Sequence, residues 1–141
     1  MLALNVSSDV LNGFKQVDEG LVRTTQNSTI QNQALYNELS AFNQTNPEKS
    51  GAWYGKATEV KNRTESLYKY LDELKLRIVR QADGKDGNVN DIVHQDDLEA
   101  ASYIMLSPRT GEGKKLRTAL EQYSDFVTPM ITDTIRRQII Y

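Results

Sequence analysis

The chain contains no cysteine, which excludes disulfides, thiolate metal centres and thiol nucleophiles, and leaves no mark of an oxidising or reducing compartment. Histidine occurs once, at His94, beside Asp96 and Asp97. A second imidazole for a transition-metal site is therefore missing, and the residue types for His-assisted nucleophilic catalysis are nearly absent. Only 3 prolines and 8 glycines interrupt the 141 residues, too few for a disordered or collagen-like chain. No stretch approaches the roughly 20 apolar residues of a membrane span, and no charged segment precedes a short apolar one. As written, the chain is expected neither to cross a membrane nor to carry an export signal. A net charge of -2 gives no overall attraction to nucleic acid or anionic lipid.

What is present is helical periodicity in a chain of single-domain size. Residues 1–46 carry +2 and -4 charges, 47–82 +8 and -5, 83–108 +1 and -6, and 109–141 +6 and -4. A basic second quarter is thus followed by a compact acidic stretch. In the basic quarter, Trp53, Ala57, Val60, Thr64, Leu67, Leu71, Leu74 and Ile78 follow an unbroken 4-3 spacing, the seam of an amphipathic helix expected to pack with Trp53 at its head. Glu59–Arg63, Glu65–Lys69 and Glu73–Arg77 are acid-first pairs at i,i+4 on its outer face. Asn46-Pro47-Glu48 starts this helix and Asp83-Gly84 stops it, giving a rod over 47–82 about 54 Å long.

An earlier helix is expected over about 8–45, with Val10, Phe14, Val17 and Leu21 on one stripe and Leu35, Leu39 and Phe42 on a later one. Between them TTQNSTIQNQ, residues 24–33, holds Ile30 as its one large apolar residue and reads as a solvated helix surface. A shorter helix is expected over 92–106. SPRTGEG, residues 107–113, reads as a loop, and Leu116, Leu120, Tyr123, Val127 and Met130 mark a last helix to about Ile139, bent or split after Thr128 by Pro129. The fold class is all-α: an elongated antiparallel bundle of about four helices, three of them long.

Three motifs invite chemistry. TGEGKKL, residues 110–116, fails as a phosphate loop, because Pro108 stands where glycine is needed and Lys115 where Ser or Thr is needed; it reads as a flexible turn with Gly113 ahead of a helix. In the acidic loop, Asp86, Asn88, Asn90 and Asp97 imitate four positions of a calcium loop, but Asp91 replaces the turn glycine and the last ligand is Asp instead of Glu. An ordinary capped connection is the favoured reading, with a surface or local hydrogen-bonding role for His94. Ser50-Gly51-Ala52-Trp53-Tyr54-Gly55 has a small-residue spacing that fits a closely approached helix start. No enzyme activity and no cofactor are expected.

The opening MLALNVSSDVLNGF breaks from apolar to polar between Leu4 and Asn5, and Val10, Leu11 and Phe14 then resume at helical spacing. It resembles the membrane-exit sequence of the GldM/PorM family of type IX secretion and gliding machineries, with Asp9 at that motif's acidic position. KSGAWYGKATEVKNRTESLYKYLDELK and TGEGKKLRTALEQY also resemble the family's first periplasmic, all-helical domain, so the likeness covers essentially the whole chain and leans toward PorM.

The resemblance implies a single helical periplasmic domain, 1–141, of an inner-membrane-anchored protein, with residues 1–4 the stub of an upstream transmembrane helix and β-rich domains downstream. It further implies a homodimer whose membrane helices sit among proton-driven GldL/PorL subunits and whose distal domains reach a GldK/GldN or PorK/PorN ring at the outer membrane. Asn5, Asp9, Val10 and Phe14 would then be membrane-proximal coupling positions. The competing class is a chemoreceptor-like periplasmic sensor, with 24–33 and the acidic loop as its binding surface.

Overall fold

A computed structural model of the chain describes residues 7–130. Asn5, the apolar residues 1–4 and the expected run of the last helix to Ile139 lie outside the described residues. The described residues are all-α, as expected: α1 (Ser8–Thr45), α2 (Pro47–Asp83), α3 (Glu99–Leu106) and α4 (Glu112–Val127), closed by a 3-10 turn at Thr128–Met130. Their sole β pairing is an isolated bridge between Asn88 and Asp91. The chain divides into two compact units, Met1–Glu59 and Val60–Tyr141.

In the first unit, α1 runs 38 residues without proline. The Ser7 side chain accepts from the Val10 N–H and Asp9 places a carboxylate in the first turn, both favourable at a helix N-terminus. The β-branched threonines of its polar middle are accommodated by back-bonding: Thr24 Oγ1 donates to the Gly20 carbonyl and Thr29 Oγ1 to that of Thr25, each at 2.9 Å. Asn46 ends α1, its N–H donating to Phe42 O at 2.8 Å, and its own carbonyl then accepts from the Lys49 and Ser50 N–H groups at 3.1 and 3.2 Å. Pro47 fits as the first residue of α2, where its missing N–H costs nothing.

The second unit holds the apolar core: Leu74 and Val79 of α2, Ala100 and Ile104 of α3. Gly84, at φ +86°, lets the chain leave α2, its N–H returning to Arg80 O at 3.0 Å. The short helix begins at Glu99, seven residues later than the spacing predicted. The Asp83 carboxylate takes the Val93 and His94 N–H groups, both at 2.8 Å, so those amides are committed away from a helix. Asp97 then caps α3, accepting from Glu99 N–H at 2.8 Å and Ala100 N–H at 3.0 Å. α4 stops at Val127 and gives way to the 3-10 turn containing Pro129, one residue before the expected break.

Two sequence expectations about packing are corrected. Trp53 does not head a buried seam: it is 55% exposed, with Lys56 Nζ 4.9 Å from its ring centroid, and its neighbour Tyr54 faces α1 instead. Of the predicted acid-first pairs, Glu65 instead bonds Lys61, and Arg77 reaches out of its own helix to Glu112. Tertiary partners, a hydroxyl for Tyr54 and a carboxylate for Arg77, account for two of these departures, whereas Glu65 exchanges one i,i+4 partner on its own helix for another.

Candidate functional site

The first unit is joined by hydroxyls and amides, and none of its described apolar side chains is buried. Tyr36 of α1 stacks on Tyr54 of α2, ring centroids 5.7 Å apart. Tyr36 Oη donates to Tyr54 Oη at 3.2 Å, and Ser40 Oγ approaches the same oxygen at 3.5 Å. These donors, Ser40 before Tyr36, favour the phenolate and draw the Tyr54 pKa below the ordinary tyrosine value. Tyr36 Oη also lies 3.0 Å from Thr58 Oγ1. Nearer the turn, buried Ser50 lies 3.0 Å from Asn43 Oδ1 and 2.8 Å from the Asn46 carbonyl. Each such bond contributes about 1 kcal/mol and fixes register more than it adds stability.

Within the first unit, the α1 side chains bonded to α2 lie on one side of α1. At about 100° per residue, Tyr36, Leu39, Ser40 and Asn43 fall together on that side. A second face carries Val10, Phe14, Val17, Leu21, Thr24, Ser28, Gln31, Leu35, Glu38 and Phe42, a 4-3 spacing kept from end to end. Its ends are apolar and its centre polar. The apolar members are open: Phe14 is 69% exposed, Val17 and Leu21 61% each, Leu35 63%. The two short stripes read from the sequence are therefore one seam, from which Leu39 departs toward α2. Val10 and Phe14 open the seam, Asp9 lies in the same two turns of α1 on another side, and all three are exposed.

In the second unit, α2 and α4 run antiparallel: Thr64 Oγ1 is 2.7 Å from Tyr123 Oη, and the Arg63 guanidinium lies 3.8 Å from the Phe126 ring centroid. At the other end, Glu112 opens α4 and is buried. Its Oε1 accepts from Lys115 Nζ at 2.9 Å and Arg77 Nη1 at 2.8 Å, and its Oε2 from Tyr70 Oη at 3.1 Å. The bonds from Lys115 and Arg77 hold its carboxyl down at about 2 despite burial. Burial, reinforced by Glu112, raises the Tyr70 pKa. Gly111, at φ +58°, turns the chain into this arrangement, and Gly113 lies inside the first turn of α4, not ahead of it. A Cβ at Gly113 would stand 2.8 Å from the Met105 carbonyl, so α3 and α4 meet there backbone to backbone. Glu112 escaped the sequence reading because a carboxylate in TGEGKKL looks like loop; the glycines on either side were the available signal.

The acidic loop employs its polar atoms internally. Asn88 Oδ1 accepts from Asn90 N–H at 3.0 Å, Asp97 caps α3, and Asp86 is exposed. Among the described residues no three acidic or histidine side chains gather into a metal-binding group. His94 Nδ1 lies 2.9 Å from Asp83 Oδ1, a local hydrogen bond at a solvent-facing ring. The backbone donors of Val93 and then His94 are the main reason that the Asp83 pKa is lowered.

Among the described residues no helix is long and apolar enough to cross a membrane. No curated protein matches the sequence. Residues 9–139 match the GldM N-terminal domain, a span that takes in α1 to α4 and favours the secretion and gliding class over a chemoreceptor-like sensor. The chain belongs to the GldM N-terminal domain family, whose members are components of gliding motility and type IX secretion.

Proposed function

We propose that this chain is the membrane-proximal periplasmic domain of a GldM-type subunit, of the PorM-like branch, and that it acts mechanically instead of catalytically. In this reading a transmembrane helix precedes Asn5, α1 continues it as a stiff rod of about 57 Å, and two copies pair along the Val10–Phe42 seam. Motion produced by a proton-driven GldL/PorL complex enters at Asp9, Val10 and Phe14 and passes outward to further domains and a GldK/GldN or PorK/PorN ring.

The observation that carries the proposal is the α1 seam: ten positions in uninterrupted 4-3 spacing, on a face whose apolar members are all exposed. Such a face costs free energy in water and is what a parallel helix pair buries. Cysteine substitution in the full-length, membrane-held protein tests it. Val17→Cys, on the seam, should give a disulfide-linked dimer on mild oxidation, and Arg23→Cys, on another side of α1, should not. Equal cross-linking at both positions would sink the paired-helix reading.

A further inference from the structure

A second unbalanced surface lies in the second unit, around the acidic loop and α3. α3 turns Ala100 and Ile104 into the core. At about 100° per residue, Leu98, Ser102 and Leu106 fall on the opposite side. Leu98 is 60% and Leu106 77% exposed, and Val93, shortly before them, is 74% exposed. Five exposed acids, Asp86, Asp91, Asp96, Asp97 and Glu99, occupy the same stretch, against Lys85 as the one Lys or Arg in 84–106. Among the described residues none of the five is in an ion pair, although Glu65, Asp72, Glu112 and Glu121 of the same unit are.

We propose that this face docks a basic amphipathic segment of another protein, one that presents leucine-sized side chains bordered by Lys or Arg. Charge selects the occupant. In a symmetric contact with a second copy, the five acids would confront five more. An anionic lipid surface meets the same repulsion. A basic segment gains on both counts, burying Leu98 and Leu106 while neutralising acids of the same stretch. The proposal is independent of the α1 seam and of the coupling role, since it concerns residues that neither uses.

The test is a titration of the isotope-labelled 141-residue chain with a synthetic helical peptide of leucine and lysine, and with its leucine and glutamate counterpart, followed by amide resonance shifts. The lysine peptide should move resonances over 93–106, bind more weakly as salt rises, and lose about tenfold or more in affinity with Leu98→Ser/Leu106→Ser. Both leucines face outward, so unchanged helical content of the double variant verifies its fold. Equal binding of the glutamate peptide, shifts centred on α1, or undiminished binding by the double variant would overturn the proposal. So would self-association or flotation with anionic vesicles that the same variant abolishes, because either outcome gives the face a different occupant.

Discussion

Arg77, two turns before the end of α2, donates to Glu112, the first residue of α4, at 2.8 Å, and the carboxylate it meets is buried. The pair is asymmetric, because the arginine side chain is 45% exposed and the glutamate 5%. Removing the acid leaves the part-buried Tyr70 hydroxyl without its acceptor and breaks the bond to exposed Lys115 as well, whereas removing the arginine leaves the carboxylate two other donors. Glu112→Ala should therefore lower the unfolding free energy by about 2 kcal/mol, and Arg77→Met by about 0.5 kcal/mol. Urea unfolding followed by circular dichroism compares them.

The same carboxylate sets an acid limit. Its pKa is about 2 in the folded chain against an ordinary 4.5, so the unfolded chain binds the proton more tightly. The stabilisation is complete above about 4.5 and drains away as pH falls toward 2, with Asp83, also lowered, adding a loss of the same sign. Stability measured from pH 6 to 2 should fall steeply in the parent and less steeply in Glu112→Gln.

Two glycines should respond in opposite ways to alanine. At Gly113 the added Cβ meets the Met105 carbonyl at 2.8 Å, and backbone cannot yield as a side-chain tip can, so a loss of about 1–3 kcal/mol is expected. Gly20, in mid-α1, has open space around its Cβ position, and Gly20→Ala should gain about 0.5–1 kcal/mol from helix propensity. Thermal unfolding of the two variants reads the difference directly.

The connection after α2 should depend on Asp83 more than on His94. Asp83→Ala removes the acceptor for two backbone amides, and hydrogen exchange at Val93 and His94 should accelerate together. His94→Ala removes one solvent-facing contact and should leave the Val93 amide protected.

Local punctuation made much of this fold legible. Asn46-Pro47 and Asp83-Gly84 bracket α2 to within a residue, and the predicted start and end of α1 coincide with those observed, because helix ends are decided by caps close in sequence. Contacts distant in sequence hid the rest. Ile92 and Leu98 suggested an early start for the short helix until Asp83 claimed the amides between them. Periodicity chose Trp53 for the inner face of α2, but a hairpin joined by Tyr36, Ser40 and Thr58 selects a hydroxyl partner, and Tyr54 supplies one. The coupling role proposed for Asp9, Val10 and Phe14 rests on the resemblance of the opening motif. The continuity of the α1 seam was not legible, since Thr24, Ser28 and Gln31 carry it through residues with no apolar signal.

The central claim is that α1 carries motion as a stiff rod, and the most direct measurement is secretion by the full-length protein with a helix-breaking Gly-Pro pair inserted between Phe14 and Val17. The break removes rigidity without touching the α1–α2 hairpin contacts near Tyr36 and Tyr54. The account predicts a variant that is membrane-inserted at normal abundance and fails to secrete. Normal secretion by that variant would contradict it.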